Sequence, residues 1–194
     1  MAFVGLKYAA FAPLISETPG QLPTYGQGVV VGKMIGADIT YTRNSEALYA
    51  DDAMSESDNS MTGGTISLNL DDISDEANVA MLGMIHDEAR DEYDETDTPS
   101  PNGGFGYIRV RSLRNKTDYI GFWIYKTQLS IASESASTKA QNVNWQTPTV
   151  TGNIMAAQPK ADMKNHFRVR KVFTNEAEAY AWINTFANIT TGEQ

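Results

Sequence analysis

The stretch FGYIRVRSLRNKTDYIGFWIYKTQLSI, residues 105–131, decides the fold. From Phe105 to Arg111 the side chains alternate. Phe105, Tyr107, Arg109 and Arg111 fall on one face of a strand, and Ile108 and Val110 on the other. From Asp118 to Ile131 a second run sets Ile120, Phe122 and Ile124 against Tyr119, Trp123 and Tyr125. The polar Arg114–Lys116 between the runs predicts a hairpin. Both faces of the second strand are apolar, so both must be covered.

Working outward, Thr65–Leu70 alternates Ile66, Leu68 and Leu70 with polar residues, the pattern of a half-buried strand. Val29–Tyr41 is rich in Val, Ile and Thr, with Gly32 and Gly36 as bends or bulges. Ala47–Ala50, Val143–Met155 (interrupted by Pro148) and Asn165–Phe173 also read as strands. A helix is predicted over Asp75–Ile85, capped by Asp72 or Ser74, with Val79, Met81, Leu82 and Ile85 on its apolar side. A second helix follows Thr174 or Asn175 as cap, in a loose capping box with Glu178. Its buried stripe is Tyr180, Trp182, Ile183, Phe186 and Ala187.

About seven strands that do not alternate with the two helices predict an α+β fold, mainly β, with antiparallel sheets. The 194 residues suit one domain, 1–194. Residues 1–27, broken by Pro13, Pro19 and Pro23, read as an extended N-terminal arm whose apolar residues pack on something else, such as a neighbouring subunit. Residues 51–64 and 86–104 read as long exposed loops, and residues 132–142 as a polar connection.

Hydrophobic residues make up 41% of the chain and charged residues 20%, enough for an ordinary core. With no cysteine, disulfides, thiolate metal sites and a cysteine nucleophile are excluded. The only histidines are His86 and His166. No run approaches the roughly 20 apolar residues of a membrane span, and the opening segment lacks the continuous apolar run of a secretory signal, which points to a cytosolic site of synthesis. The net charge of −9 opposes tight phosphate binding. The charge is also uneven. Residues 71–97 hold eleven acids and one arginine, whereas residues 105–173 hold eleven bases and three acids. That asymmetry suits head-to-tail contact between identical subunits, with a solvated acidic loop as the plainer reading. As a long loop the acidic segment 86–97 reads as an outer or end surface, facing Arg109, Arg111, Lys164, Arg168 or Arg170 of another subunit.

No catalytic, cofactor-binding or metal residues emerge. A calcium loop started at Asp87 or Asp91 has no glycine at its sixth position. A G-x-S-x-G elbow is absent. Gly103-Gly104-Phe105-Gly106 fails both phosphate-loop patterns and reads as a glycine-rich entry to a strand. His86 falls at the end of the first predicted helix, where a cap role outweighs a ligand role. Trp123 and Trp182 lie in patterned elements and belong to the core, whereas Trp145 is free to face outward. An enzyme is therefore not expected.

Several segments resemble the major tail protein, or tail tube protein, family of siphophages of Gram-positive bacteria. They are Val4-Gly5-Leu6-Lys7-Tyr8 with Phe11-Ala12-Pro13, then Tyr25-Gly26-Gln27-Gly28 and Gly32-Lys33. The most specific is Leu48-Tyr49-Ala50-Asp51-Asp52-Ala53, with Glu56-Ser57-Asp58 and Thr62-Gly63-Gly64-Thr65-Ile66. Gly104-Phe105-Gly106-Tyr107, Gln146-Thr147-Pro148, Gly152-Asn153-Ile154-Met155 and Trp182-Ile183-Asn184 continue the likeness over nearly the whole chain. The resemblance implies two packed antiparallel sheets, a β-sandwich of the tail-tube type, with a flanking helix and a C-terminal helix. It implies a structural subunit of a bacteriophage virion that forms rings, usually hexamers, which stack into the conduit for DNA ejection. The implied partners are other copies of itself, the tape measure and tail terminator proteins, and genomic DNA that passes without specific binding. The implied location is the virion tail, reached from the host cytoplasm. A tube protein of a contractile tail or secretion apparatus, and a monomeric β-rich binding module, are the competing readings.

Overall fold

The computed structural model describes residues 2–50, 53–113, 116–133 and 147–190. Its strands are β1 (Ala2–Ser16), β2 (Thr24–Tyr25), β3 (Val29–Gly32), β4 (Met34–Arg43), β5 (Glu46–Ala50), β6 (Ala53–Asp58), β7 (Met61–Leu70), β8 (Ile85–Asp87), β9 (Glu92–Asp94), β10 (Asn102–Leu113), β11 (Lys116–Ser133), β12 (Thr149–Met155) and β13 (Arg168–Phe173). The helices are α1 (Asp75–Ala77), continued by a π-helical turn, Asn78–Leu82, and α2 (Glu176–Ala187). The fold is α+β and mainly β, as the sequence predicts.

Nine strands form one antiparallel sheet in the order β2-β1-β10-β11-β12-β7-β4, with β3 added to β1 and β13 to β11. The β10–β11 hairpin runs in register from Leu113↔Lys116 to Asn102↔Gln128, with one irregularity at Gly104. Ala9 and Phe11 of β1 share a buried cluster with Ile66, Leu68 and Leu70 of β7, although three strands separate them in the sheet. The sheet is therefore curled, and its two halves face each other across a single interior. Where two separate sheets are expected from the resemblance, one sheet folds over itself, because the eighteen-residue β11 pairs β13 along its first half and β12 along its second.

The interior cluster uses Phe105, Tyr107, Ile120, Phe122 and Ile124, and Ile73, Ala77 and Met81 close one end of it. The opposite face of the same strands carries Ile108, Trp123 and Tyr125, buried under Ala179, Ile183 and Ala187 of α2. Both faces of β11 are thus covered, as its sequence requires. Asn175 caps α2, its side chain accepting from the Ala177 N–H at 3.0 Å. At the other end Asn188 adopts φ 54° and donates from Nδ2 to the Tyr25 carbonyl at 3.1 Å. Gly28 donates to the Ala187 carbonyl at 2.7 Å, an approach that a Cβ, 2.3 Å from that oxygen, would block.

Several expected boundaries change. Residues 1–27 are not a separate arm. Residues 2–16 are β1, inserted between β10 and β2, with Ala9, Ala10, Phe11 and Ala12 fully buried. Residues 51–64 are not one loop: Ala53–Asp58 pairs back on Glu46–Ala50, and β7 begins at Met61, although the described part of that hairpin is exposed. Within 86–104, β8 and β9 form a small hairpin and β10 begins at Asn102. The helix expected to Ile85 stops earlier, because Gly83 turns the chain at φ 79° and Ile85 enters β8. Ser74, not Asp72, is the cap, accepting from the Ala77 N–H. Trp145, residues 143–146 of the expected strand, and most of the 132–142 connection lie outside the described residues.

Candidate assembly surfaces

Among the described residues no three His, Cys, Asp or Glu side chains gather to hold a metal ion, and no helix is long and apolar enough to cross a membrane. His86 is not a helix cap. It lies in β8, stacks on Tyr93 at 4.3 Å and bonds Asp91 at 3.1 Å. His166 bonds Asp162 at 3.2 Å. Gly103, Gly104 and Gly106 belong to β10, where Cβ atoms would meet Phe11, Trp123 and Ile183, so these glycines serve close packing.

Two of the segments quoted from the sequence, Val4–Tyr8 and Leu48–Ala53, are placed by the fold as follows. Lys7 pairs with Glu176 at 2.7 Å, and the Tyr8 hydroxyl donates to Asn184, so the Val4–Tyr8 run fastens β1 to α2. The Tyr180 hydroxyl donates to the same Glu176 at 2.6 Å. Hydrogen bonding from Lys7 holds the Glu176 carboxyl below its ordinary range. Tyr8 has φ 59°, uncommon for a residue with a side chain, and sits at a register shift between Lys7 and Ala10. Of Leu48–Ala53, residues 51–52 lie outside the described residues, and the remainder flanks the β5–β6 turn.

The curled sheet leaves two edges near each other. β4 pairs with β7 on one side and with no strand on the other, among the described residues. The first residues of β1 pair only with β10. Between these edges lies a cleft of about 620 Å³, lined by Phe3 and Leu6 from β1, Ile35 and Tyr41 from β4, and Arg109 and Arg168. Arg109 stacks on the Phe3 ring at 3.7 Å, and Arg168 lies 4.9 Å from the Tyr41 ring and 5.1 Å from that of Phe122. Register sets Arg168 and Arg170 opposite Ile124 and Phe122, so both point to the interior side of the sheet, where it opens. Arg111 is paired with Asp118 at 2.6 Å, and this bond holds the Asp118 carboxyl below its ordinary range. Arg109, Arg168 and Arg170 make no ion pair among the described residues. The Tyr41 hydroxyl, buried beneath them, has no hydrogen-bond partner. Burial pushes the Tyr41 phenol up, and that of Tyr107 up to about 12, so both stay protonated donors at neutral pH. Among the described residues Asp38 is the one carboxylate lining the cleft.

The acidic segment leads into the start of β10. Residues 98–101 join it to Asn102, where β10 begins, and the Gln128 side chain donates to the Ser100 carbonyl at 2.8 Å. At about 3.3 Å per residue, the seven steps from Asn102 to Arg109 put roughly 23 Å between the start of β10 and the Arg109 side of the cleft, whereas Arg168, opposite Ile124, lies level with Phe105. Arg109, Arg168 and Arg170 were individually legible as basic residues. Their convergence with Tyr41 and Phe3 was not, because it depends on the curl that brings β1 to β4. Compared with known proteins, this chain matches no family model and no curated protein.

Proposed function

We propose that this chain is a structural subunit that assembles with copies of itself into stacked rings, forming the tube of a bacteriophage tail. The observation that carries the reading is the outer edge of β4. It is ten residues long, contains no proline, and presents Ile35, 59% exposed. Natural sheets cover such an edge or blunt it with charge, and a ring of subunits covers it on every member. The segment resemblance and the small exposed β5–β6 hairpin add support. A net charge of −9 suits a conduit through which DNA passes without being held. The tape measure and tail terminator proteins are the partners this role implies, and the virion tail is its place.

Negative-stain microscopy of the purified chain over a range of concentrations tests the proposal. Rings or tubes with a central channel are expected. A monodisperse monomer at every concentration, confirmed by sedimentation, refutes it in favour of a monomeric β-rich binding module.

A further inference from the structure

The geometry points to a specific stacking contact: the acidic β8–β9 hairpin of one copy docks into the basic cleft between β1 and β4 of the next. The inference rests on the self-assembly proposed above and names the surfaces that would set its direction.

Three features of the cleft call for an acidic occupant. Arg109 and Arg168 line it without a carboxylate partner, and Arg170 lies beside them on the same face. Their guanidinium groups rest on aromatic rings, which leaves their edges free for bidentate contact with a carboxylate. The buried Tyr41 hydroxyl is an unused donor in the same wall. The cleft also has an apolar side, with Phe3 48% exposed.

The hairpin has the matching properties. Asp87, Glu88, Glu92, Asp94 and Glu95 lie on or beside it, against Arg90 alone. Among the described residues Arg90 approaches only Asp87 and Glu92, each at 3.8 Å. Stacking of His86 on Tyr93 and the His86–Asp91 bond order the hairpin before any contact, which lowers the entropy lost on docking. Ile85 and Tyr93 are exposed and offer an apolar surface to Phe3. The cleft and the hairpin are different surfaces of one molecule, so the contact is heterologous. Such a contact passes from one copy to the next, as a ring or as an open stack according to the rotation between copies.

Charge reversal with rescue tests the contact in the full chain. One variant carries Arg109→Glu and Arg168→Glu. A second carries Glu88→Lys, Asp94→Lys and Glu95→Lys. A third carries all five. Self-association is followed by sedimentation and light scattering at low and at high salt, with circular dichroism and melting to establish folding. Each partial reversal is expected to weaken association about tenfold or more at low salt, the five-fold variant to recover within about threefold, and high salt to erase the differences. If a reversed cleft misfolds, Arg109→Gln with Arg168→Gln replaces it and should weaken association in the same direction. Unchanged association in the partial reversals, no recovery in the combined variant, or no association of the wild type at low salt overturns the contact. Tubes that form normally from the partial reversals remove the contact and leave the tube reading intact. Salt-sensitive, rescuable association that yields no tubes removes the tube reading and leaves the contact.

Discussion

Gly104→Ala should cost this fold more than any neighbouring glycine-to-alanine change at an open position. The new Cβ would lie 2.3 Å from Cζ2 of Trp123 and 2.8 Å from both Trp123 Cε2 and Tyr25 Cε1. Carbon atoms sit comfortably at about 3.5–4.0 Å, so the indole would have to recede by more than about 1 Å. It has no room to do so. Tyr25 meets it edge-on at 5.3 Å and Phe186 stacks on it at 5.4 Å. Tyr25 is itself tied by its hydroxyl to the Tyr125 carbonyl at 2.7 Å. Overpacking of this kind costs about 1–3 kcal/mol, and the rigid rings on both sides favour the upper value. For a domain of this size about 3 kcal/mol lowers the melting temperature by roughly 6–12 °C. Gly5→Ala is the control, since its Cβ would meet nothing closer than Val110 at 3.9 Å, and a change within about 0.5 kcal/mol is expected. Thermal melting by circular dichroism or calorimetry reads both. A Gly104→Ala protein that melts within about 2 °C of wild type would falsify the packing of Trp123 against β10.

Removal of residues 1–16 should abolish the cooperative melting transition, because it deletes β1 and the buried Ala9–Ala12 segment; a truncated chain that melts like the full one contradicts this. The Arg111–Asp118 pair should contribute to stability at neutral pH and lose that contribution in acid. Its folded carboxyl lies below the ordinary 3.8, so the unfolded chain takes up the proton first, and stability falls as pH drops from the ordinary range through the folded value. Asp118→Asn should therefore be less stable than wild type at pH 7, with the gap closing as pH falls below about 4. Urea unfolding across that range checks it, and a gap independent of pH contradicts it.

The parts of the fold that were legible were those whose signals are local. β10 and β11 announced their alternation, and the two-sided apolar pattern of Tyr119–Tyr125 foretold layers on both faces. Asn175 announced α2. The N-terminal segment was opaque because its partner in sequence is far away: Phe11 pairs with Phe105, and nothing near Phe11 records it. Pro13 looked like a breaker, yet it lies close to the end of β1 opposite Gly103. The β5–β6 hairpin carries no apolar period, and its described residues 46–48 and 55–58 are exposed, so pairing there is a matter of backbone bonds. The positive φ of Tyr8 has no sequence signal, since it is imposed by the bulge that aligns Lys7 and Tyr8 with α2.

The pairing of β1 with β10 also has a consequence for synthesis. Residue 11 leaves the ribosome long before residue 105 exists, and translation at about 5–20 residues per second leaves β1 waiting several seconds for its partner. Its neighbours β2 and β3 arrive sooner, but they cover only a short part of it. During that interval Phe3, Leu6, Tyr8 and Phe11 belong to a nascent segment with no completed sheet to enter. Non-local closure of this kind slows folding and exposes apolar chain to aggregation. Crowded polysomes making this protein in quantity would thus hold many unpaired β1 segments at once, and the yield of native subunit should rise when fewer chains are initiated at a time or a holdase chaperone is supplied.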